Sequence, residues 1–170
     1  MSRRSRKRFD TRRVAVCGLL LAVMLILGWV EKQIPMPHGI KLGLSNSVLI
    51  FAVYMLDIPT AYILMVFKVL LSNLLFGNLG TTFMMGFAGG LLSLMAMVLI
   101  SRIKGMYPVT VSIVGGVCHN VGQVLMAMVI MENTVILSIL PWLIVSGLGF
   151  GALTGVVATA TMKHLRHMRF

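Results

Sequence analysis

Six long apolar segments, separated by short polar or turn-forming stretches, dominate the pattern of this chain. They cover residues 14–30, 42–56, 60–76, 83–101, 109–131 and 135–162. A helix needs about 20 apolar residues, with a range of about 17 to 25, to cross the hydrocarbon core of a bilayer. The second segment is short, but its flanks are partly apolar. The pattern therefore predicts an all-α, polytopic membrane protein with six transmembrane helices.

Turn-forming residues mark the connections between these segments. Pro35 and Pro37 prevent the first helix from continuing into the second. The tripeptide Asp57-Ile58-Pro59 predicts a tight turn between the second and third helices. Pro141 lies near the start of the sixth segment, where it marks either a kink or the true beginning of the helix.

Composition excludes a soluble globular domain. Hydrophobic residues make up 58% of the 170 residues and charged residues 11%, and the mean hydropathy is +0.97. A soluble domain averages roughly 25% charged residues, because it must cover its surface with them. This chain lacks that polar cover, which supports a bundle that is solvated by lipid.

The net charge of +11 comes from basic residues that cluster at three places along the chain. Twelve of the fifteen basic residues fall on one side of a six-span topology: Arg3, Arg4, Arg6, Lys7, Arg8, Arg12, Arg13, Arg102, Lys104, Lys163, Arg166 and Arg169. Cytoplasmic loops carry such an excess, so we expect a multi-pass plasma-membrane protein with both termini in the cytoplasm. Residues 1–13 form a basic cytoplasmic segment, 14–162 the membrane domain and 163–170 a basic tail. No aromatic platform accompanies the arginines, which argues against nucleic-acid binding.

The sequence shows no catalytic constellation. Its four acidic residues, Asp10, Glu31, Asp57 and Glu132, lie apart from one another at helix ends or in loops. Magnesium-assisted diphosphate chemistry needs paired carboxylates, and neither a phosphate-binding loop nor a His-Glu-x-x-His motif is present. We therefore expect a protein that is not an enzyme and that uses neither a cofactor nor a metal.

Small residues recur at four-residue spacing on three helices, where they let helix backbones approach closely in lipid. They are Gly18 and Ala22 in the first segment, Gly86 and Gly90 in the fourth, and Gly147, Gly151 and Gly155 in the sixth. In the fourth and sixth helices this pattern favours packing within the bundle. In the first helix, packing and docking of a partner protein are equally supported.

Polar residues within the apolar segments identify a candidate binding site. An ionisable group at bilayer depth costs roughly 2.5–3.5 kcal/mol on insertion scales, and such groups are commonly functional. With Lys41 from the adjoining loop, the candidate solute-binding residues are Lys41, Asn46, Lys68, Asn73, His119, Asn120 and Gln123. They fall between the middle of the bilayer and its outer surface, which predicts a polar pocket that opens outward.

Lys68 gives this pocket its expected chemistry. No acidic residue lies in the middle of a span to pair with it, so we expect an anionic solute with Lys41 and Lys68 as its counter-ions. Simpler interpretations remain: Lys68 snorkels outward, His119 is satisfied by a backbone carbonyl, and the asparagines are interhelical hydrogen-bond partners.

Several motifs resemble the Gx transporter family, which is often labelled heptaprenyl diphosphate synthase component I. Residues 39–46, GIKLGLSN, resemble its GIKLGLAN-type signature, and residues 119–123, HNVGQ, resemble a second fairly specific motif. Residues 75–77, 89–93 and 140–142 and the glycines of the sixth helix fit the same family. The resemblance covers nearly the whole chain beyond its basic start.

This family is similar to the substrate-binding S components of energy-coupling factor (ECF) transporters, which are six-helix proteins that capture micronutrients outside the cell. The resemblance implies a transmembrane coupling subunit and two cytoplasmic ATPases as partners, with Gly18 and Ala22 matching the small residues that dock the coupling subunit. It predicts a subunit that binds a small, anionic solute. The alternatives are a non-catalytic accessory subunit that holds a lipidic diphosphate for a synthase, and a stand-alone channel or carrier.

Overall fold

The regular structure of the chain is helical throughout the part described by the computed structural model, which comprises residues 11–35, 44–76 and 80–165. The helices are α1 (Thr11–Lys32), α2 (Leu44–Ser47), α3 (Leu49–Met55), α4 (Ile58–Phe76), α5 (Thr81–Ser101), α6 (Pro108–Met131) and α7 (Leu140–Leu165), with a 3₁₀ helix (Thr134–Ile139) before α7. Five are long and apolar enough to cross a membrane: α1, α4, α5, α6, and α7 together with the 3₁₀ helix. The predicted all-helical, polytopic membrane fold is confirmed.

Local signals explain where these helices begin and end. The Asp57 carboxylate accepts a hydrogen bond of 3.1 Å from the backbone N–H of Thr60 and so caps the start of α4. Glu132 adopts the left-handed conformation, with φ of 47°, and ends α6. Pro141 directly follows the first residue of α7, so it marks the start of that helix and not a kink within it.

The second predicted segment forms two short helices in the described part of the chain. Its described helices, α2 and α3, span Leu44–Met55, which corresponds to roughly 18 Å at 1.5 Å per residue. Val48 interrupts them while keeping helical angles, with φ of −66° and ψ of −24°. Ser45 and Asn46 precede the interruption, and their side chains bond to Glu31, Lys68 and His119 on neighbouring helices. The continuous helix predicted over residues 42–56 is therefore replaced by two short ones within the described chain.

Glycines bring α6 and α7 into direct backbone contact. A Cβ added at Gly155 would lie 2.7 Å from Cα of Val109, and one added at Gly151 would lie 2.7 Å from Cα of Ile113. These pairs run in opposite directions along the two helices, so α6 and α7 are antiparallel. On α5, an added Cβ at Gly90 would meet the Sδ atom of Met65 on α4 at 3.1 Å. The glycines of α5 and α7 thus serve packing within the bundle.

The α1 helix lies at the periphery of the bundle. Only 17% of its apolar window is buried, against 44% for α5 and α6. Among the described residues, no neighbouring atom lies within 4 Å of a Cβ added at Gly18, and Ala22 is exposed. The small-residue stripe of α1 therefore faces outward from the bundle.

One end of the bundle carries most of the basic residues of the described chain. An ion pair of 2.7 Å between Nη2 of Arg13 and Oδ2 of Asp57 joins the start of α1 to the turn before α4. The antiparallel order of the helices places Arg102, Lys104 and Lys163 at the same end. Residues 1–10 and 166–170, which contain the other basic residues of the two termini, lie outside the described part. The cytoplasmic location of this end stays a prediction.

Candidate functional site

A buried polar network connects α1, α2, α4 and α6. The Glu31 carboxylate accepts hydrogen bonds from the backbone N–H and the hydroxyl of Ser45, at 3.2 and 3.1 Å. The Lys68 ammonium donates to Oδ1 of Asn46 at 2.7 Å, and Nδ2 of Asn46 is hydrogen-bonded to Nδ1 of His119. Each of these side chains is at most 5% exposed, so the network lies inside the bundle.

Glu31 and Ser45 are the network members that the sequence analysis missed. The sequence placed Glu31 at a helix end beside Lys32, and Lys68 was expected to have no acidic partner within the membrane. That expectation is wrong: Glu31 lies in the last turn of α1, is 3% exposed, and interacts electrostatically with Lys68. The inference of an anionic solute therefore loses its main premise.

The local sequence of α1 explains how Glu31 reaches the interior. Met24, Gly28 and Glu31 are the buried residues of this helix, and their spacing of four and three places them on one face. A Cβ added at Gly28 would lie 3.6 Å from Oγ of Ser72 and 3.8 Å from Oγ of Ser45. The face of α1 that carries Gly28 and Glu31 thus lies against Ser45 of α2 and Ser72 of α4. The spacing of Met24, Gly28 and Glu31 was therefore the signal in the sequence that could have predicted a buried Glu31.

His119 and Gln123 lie on the face of α6 that packs against α5, one helical turn apart as predicted. A Cβ added at Gly89 of α5 would lie 2.7 Å from the carbonyl oxygen of His119 and 2.9 Å from Cγ of Gln123. Both side chains are buried, at 2% and 1% exposure. Only glycine at position 89 leaves room for this turn of α6.

Asn73 is buried on α4 near the α5 interface. Its Nδ2 atom donates to the Val69 carbonyl of the preceding turn at 2.7 Å and lies 4.0 Å from a Cβ added at Gly86. Its Oδ1 atom has no hydrogen-bond partner within the described part of the chain. Gly86 lies one turn before Gly89, the α5 glycine that contacts the His119 turn of α6.

Asn120 faces α7. Its Nδ2 atom donates to the Leu143 carbonyl at 2.6 Å and lies 3.4 Å from Oγ of Ser146. This contact is of the interhelical type considered as the simpler interpretation of the asparagines. Its Oδ1 atom is buried without a hydrogen-bond partner among the residues that the structure describes.

The remaining predicted site residues are placed as follows. Lys41 lies outside the described residues, and Gly18 and Ala22 lie on the exposed face of α1. The structure thus joins Asn46, Lys68 and His119 directly and places Gln123 one helical turn from His119. Asn73 lies where α4 contacts α5, and Asn120 bonds to α7.

The donor and acceptor set of the network suits recognition of a polar molecule. In the described ranges, no group of three or more His, Cys, Asp and Glu side chains is arranged to hold a metal ion. A separate surface depression of about 220 Å³ lies beside the 3₁₀ helix, lined by Met131, Asn133, Val135, Ile136, Ser138 and Ile139. It contains none of the network residues, and we place the candidate site at the network because the buried charges are there.

Comparison with known proteins gives one match. A family model described as heptaprenyl diphosphate synthase component I matches residues 20–161, from the first half of α1 to the last turns of α7. No curated protein and no solved structure matches the chain.

Proposed function

The chain belongs to the heptaprenyl diphosphate synthase component I family, and we propose that within it the protein acts as the solute-binding membrane subunit of an ECF-type transporter. It captures a small polar solute from outside the cell, and partner subunits drive uptake with ATP. The subunit itself catalyses no reaction.

The buried network of Glu31, Ser45, Asn46, Lys68 and His119 carries this proposal. Charged and amide side chains inside a membrane bundle are costly, and they are kept where a protein binds or moves a polar substrate. The network extends from the middle of α4 and α6 to the last turn of α1. That turn lies at the end of the bundle opposite Arg13, Arg102, Lys104 and Lys163. With the basic end in the cytoplasm, the network is closer to the outer surface.

The exposed face of α1 supports a role that depends on partners. Gly18 and Ala22 offer a smooth surface at the periphery of the bundle, and such surfaces let a second helix approach closely. We assign this face to the transmembrane coupling subunit, which connects the solute-binding subunit to cytoplasmic ATPases.

The family description favours a second candidate. "Component I" implies at least one further component, and the accessory-subunit alternative has the chain hold a lipidic diphosphate for a separate synthase. In the described structure, Glu31 and Asp57 lie at opposite ends of the bundle, and no group of three or more His, Cys, Asp and Glu side chains is placed to hold a metal ion. A magnesium site for diphosphate chemistry would need carboxylates together, so this alternative would leave all catalysis to the partner.

Purification of the tagged full chain from its native membranes distinguishes the candidates. The transporter proposal expects co-purification of a transmembrane subunit and two ATPases, together with solute uptake that stops when ATP hydrolysis is blocked. Co-purification of a soluble prenyl-transferring partner with bound polyprenyl lipid would instead support the accessory-subunit role and reject the transporter proposal. Uptake by the chain alone in proteoliposomes would identify a stand-alone carrier.

A further inference from the structure

The hydrogen bonds of Asn46 fix the state of His119. An ammonium group only donates, so the atom of Asn46 that lies 2.7 Å from Nζ of Lys68 must be the amide oxygen. The amide nitrogen then faces Nδ1 of His119. Because an amide N–H₂ group also only donates, Nδ1 of His119 must accept. His119 in this arrangement is a neutral imidazole with its hydrogen on Nε2.

The charges of the described network therefore cancel. Glu31 and Lys68 are buried, at 3% and 5% exposure. Both oxygens of Glu31 accept hydrogen bonds from Ser45, as a carboxylate does, and this negative group interacts electrostatically with the Lys68 ammonium. Ser45, Asn46 and His119 add no charge. A solute with a net charge would introduce an unbalanced charge into this interior, where desolvated charges are unfavourable unless they are paired.

Two buried amide oxygens show which groups the solute should carry. The Nδ2 atoms of Asn73 and Asn120 donate to the carbonyls of Val69 and Leu143, which accept only, so the orientation of both amides is fixed. Their Oδ1 atoms are buried without hydrogen-bond partners in the described ranges. An amide oxygen needs a donor, and leaving a buried acceptor unsatisfied is unfavourable.

We propose that the solute has no net charge and presents N–H or O–H donors to the site, with Asn73 as the main acceptor that recognises it. This inference rests on the proposed solute-binding role and specifies its ligand class. An anion fits poorly on both counts, because it would unbalance the Glu31–Lys68 pair and would offer acceptors where Asn73 requires a donor.

The test uses the full chain in nanodiscs and a small-molecule extract of its native cells. Ion exchange at neutral pH divides the extract into anionic, cationic and uncharged fractions, with zwitterions in the last. Saturable thermal stabilisation by the uncharged fraction supports the inference. Stabilisation by the anionic or cationic fraction instead would overturn the ligand class but keep the solute-binding role. Stabilisation by no fraction would overturn the solute-binding role itself and the ligand class with it.

Two variants locate the effect at the site. Glu31→Gln leaves Lys68 unbalanced, so the anionic fraction should stabilise this variant and not the wild type. Asn73→Leu removes the acceptor while keeping the branched shape and the number of heavy atoms, so half-maximal stabilisation should need about tenfold more of the uncharged fraction. Gly149→Ala, at an exposed position on α7, should match the wild type. An unchanged response of Asn73→Leu would refute the role of Asn73 even if Glu31→Gln does not fold.

Discussion

Glu31 in the last turn of α1 and Lys68 in the middle of α4 form a buried charge pair in the interior of the bundle. Each residue also has a polar neighbour on α2, because Ser45 donates to Glu31 and Asn46 accepts from Lys68. The pair explains how a lysine is accommodated at the depth of the bilayer, since desolvated charges need a partner.

Removing one member of this pair should destabilise the protein more than removing both. Lys68→Met leaves the Glu31 carboxylate buried without its counter-charge, and breaking a buried pair in this way costs about 3–5 kcal/mol. The double variant Glu31→Gln/Lys68→Met removes both charges and should recover most of that loss. Thermal unfolding of the single and double variants in nanodiscs gives the coupling energy. Strictly additive effects would show that the two charges do not stabilise each other.

Gly89→Ala should weaken the packing of α5 on α6. The added Cβ would lie 2.7 Å from the carbonyl oxygen of His119, and backbone must move to relieve the contact. Overpacking of this kind costs about 1–3 kcal/mol. Gly149→Ala is the matched control, because no neighbouring atom of the described residues lies within 4 Å of its added Cβ. Equal unfolding temperatures for the two variants would contradict the observed contact.

The exposed stripe of α1 should matter for partners and not for folding. Leucine at position 18 has space in the isolated subunit, so Gly18→Leu should leave thermal stability and solute binding close to the wild type. It should abolish co-purification of the coupling subunit, because a bulky side chain separates two helices that must touch. Gly149→Leu places the same bulk on an exposed face of α7 and should keep the partners bound. Loss of solute binding in Gly18→Leu would indicate instead that this face packs the bundle.

Reporter fusions should place Glu132 and Phe170 on opposite sides of the membrane. Glu132 ends α6, and α7 then crosses from that end of the bundle to the basic end. The excess of basic residues predicts that the reporter at Phe170 is cytoplasmic. The same location for both reporters would exclude an α7 that spans the membrane.

The contribution of Asp57, in the turn before α4, to the free energy of unfolding should depend on pH only in the acid range. Hydrogen bonding from Thr60, followed by Arg13, lowers the pKa of the Asp57 carboxyl from 3.8 to about 2. Because the folded pKa is the lower one, this stabilisation is complete above the unfolded value and is lost as the pH falls towards 2. The Arg13–Asp57 pair is half-exposed, so its contribution is at most about 1 kcal/mol.

Thermal unfolding of the wild type and Asp57→Asn across this range measures the effect. The gap between the two proteins should be constant near neutral pH and should close as the solution is acidified below the ordinary carboxyl pKa. A gap that stays constant down to about pH 2 would contradict the lowered pKa of Asp57.

The fold was largely predictable because a membrane imposes a simple requirement. A spanning segment must be a helix of sufficient apolar length, which satisfies its own backbone hydrogen bonds. Pro141 and the turn before α4 could therefore be located from the sequence. The interruption at Val48 could not, because it depends on how the polar side chains of Ser45 and Asn46 bond to neighbouring helices.

The site was only partly predictable because sequence periodicity does not reveal which helices are neighbours. His119 and Gln123 share a face by spacing alone, and the structure shows that this face meets α5. Asn120 is next to His119 in sequence but faces α7, since successive helical residues differ by about 100°. Glu31 was missed because its position beside Lys32 was interpreted as a polar helix end, although the spacing from Gly28 places it on the buried face.

The glycine contacts between α6 and α7 also determine how the molecule can move. Sliding these helices would force backbone atoms together, since a Cβ added at Gly116 already lies 2.8 Å from the Gly147 oxygen. We therefore expect α5, α6 and α7 to behave as one rigid unit. The peripheral α1 and the short α2 and α3 are expected to move relative to it. Glu31 and Asn46 lie on the moving helices, and His119 lies on the rigid unit. Separating these helices from the rigid unit would break the hydrogen bond between Asn46 and His119.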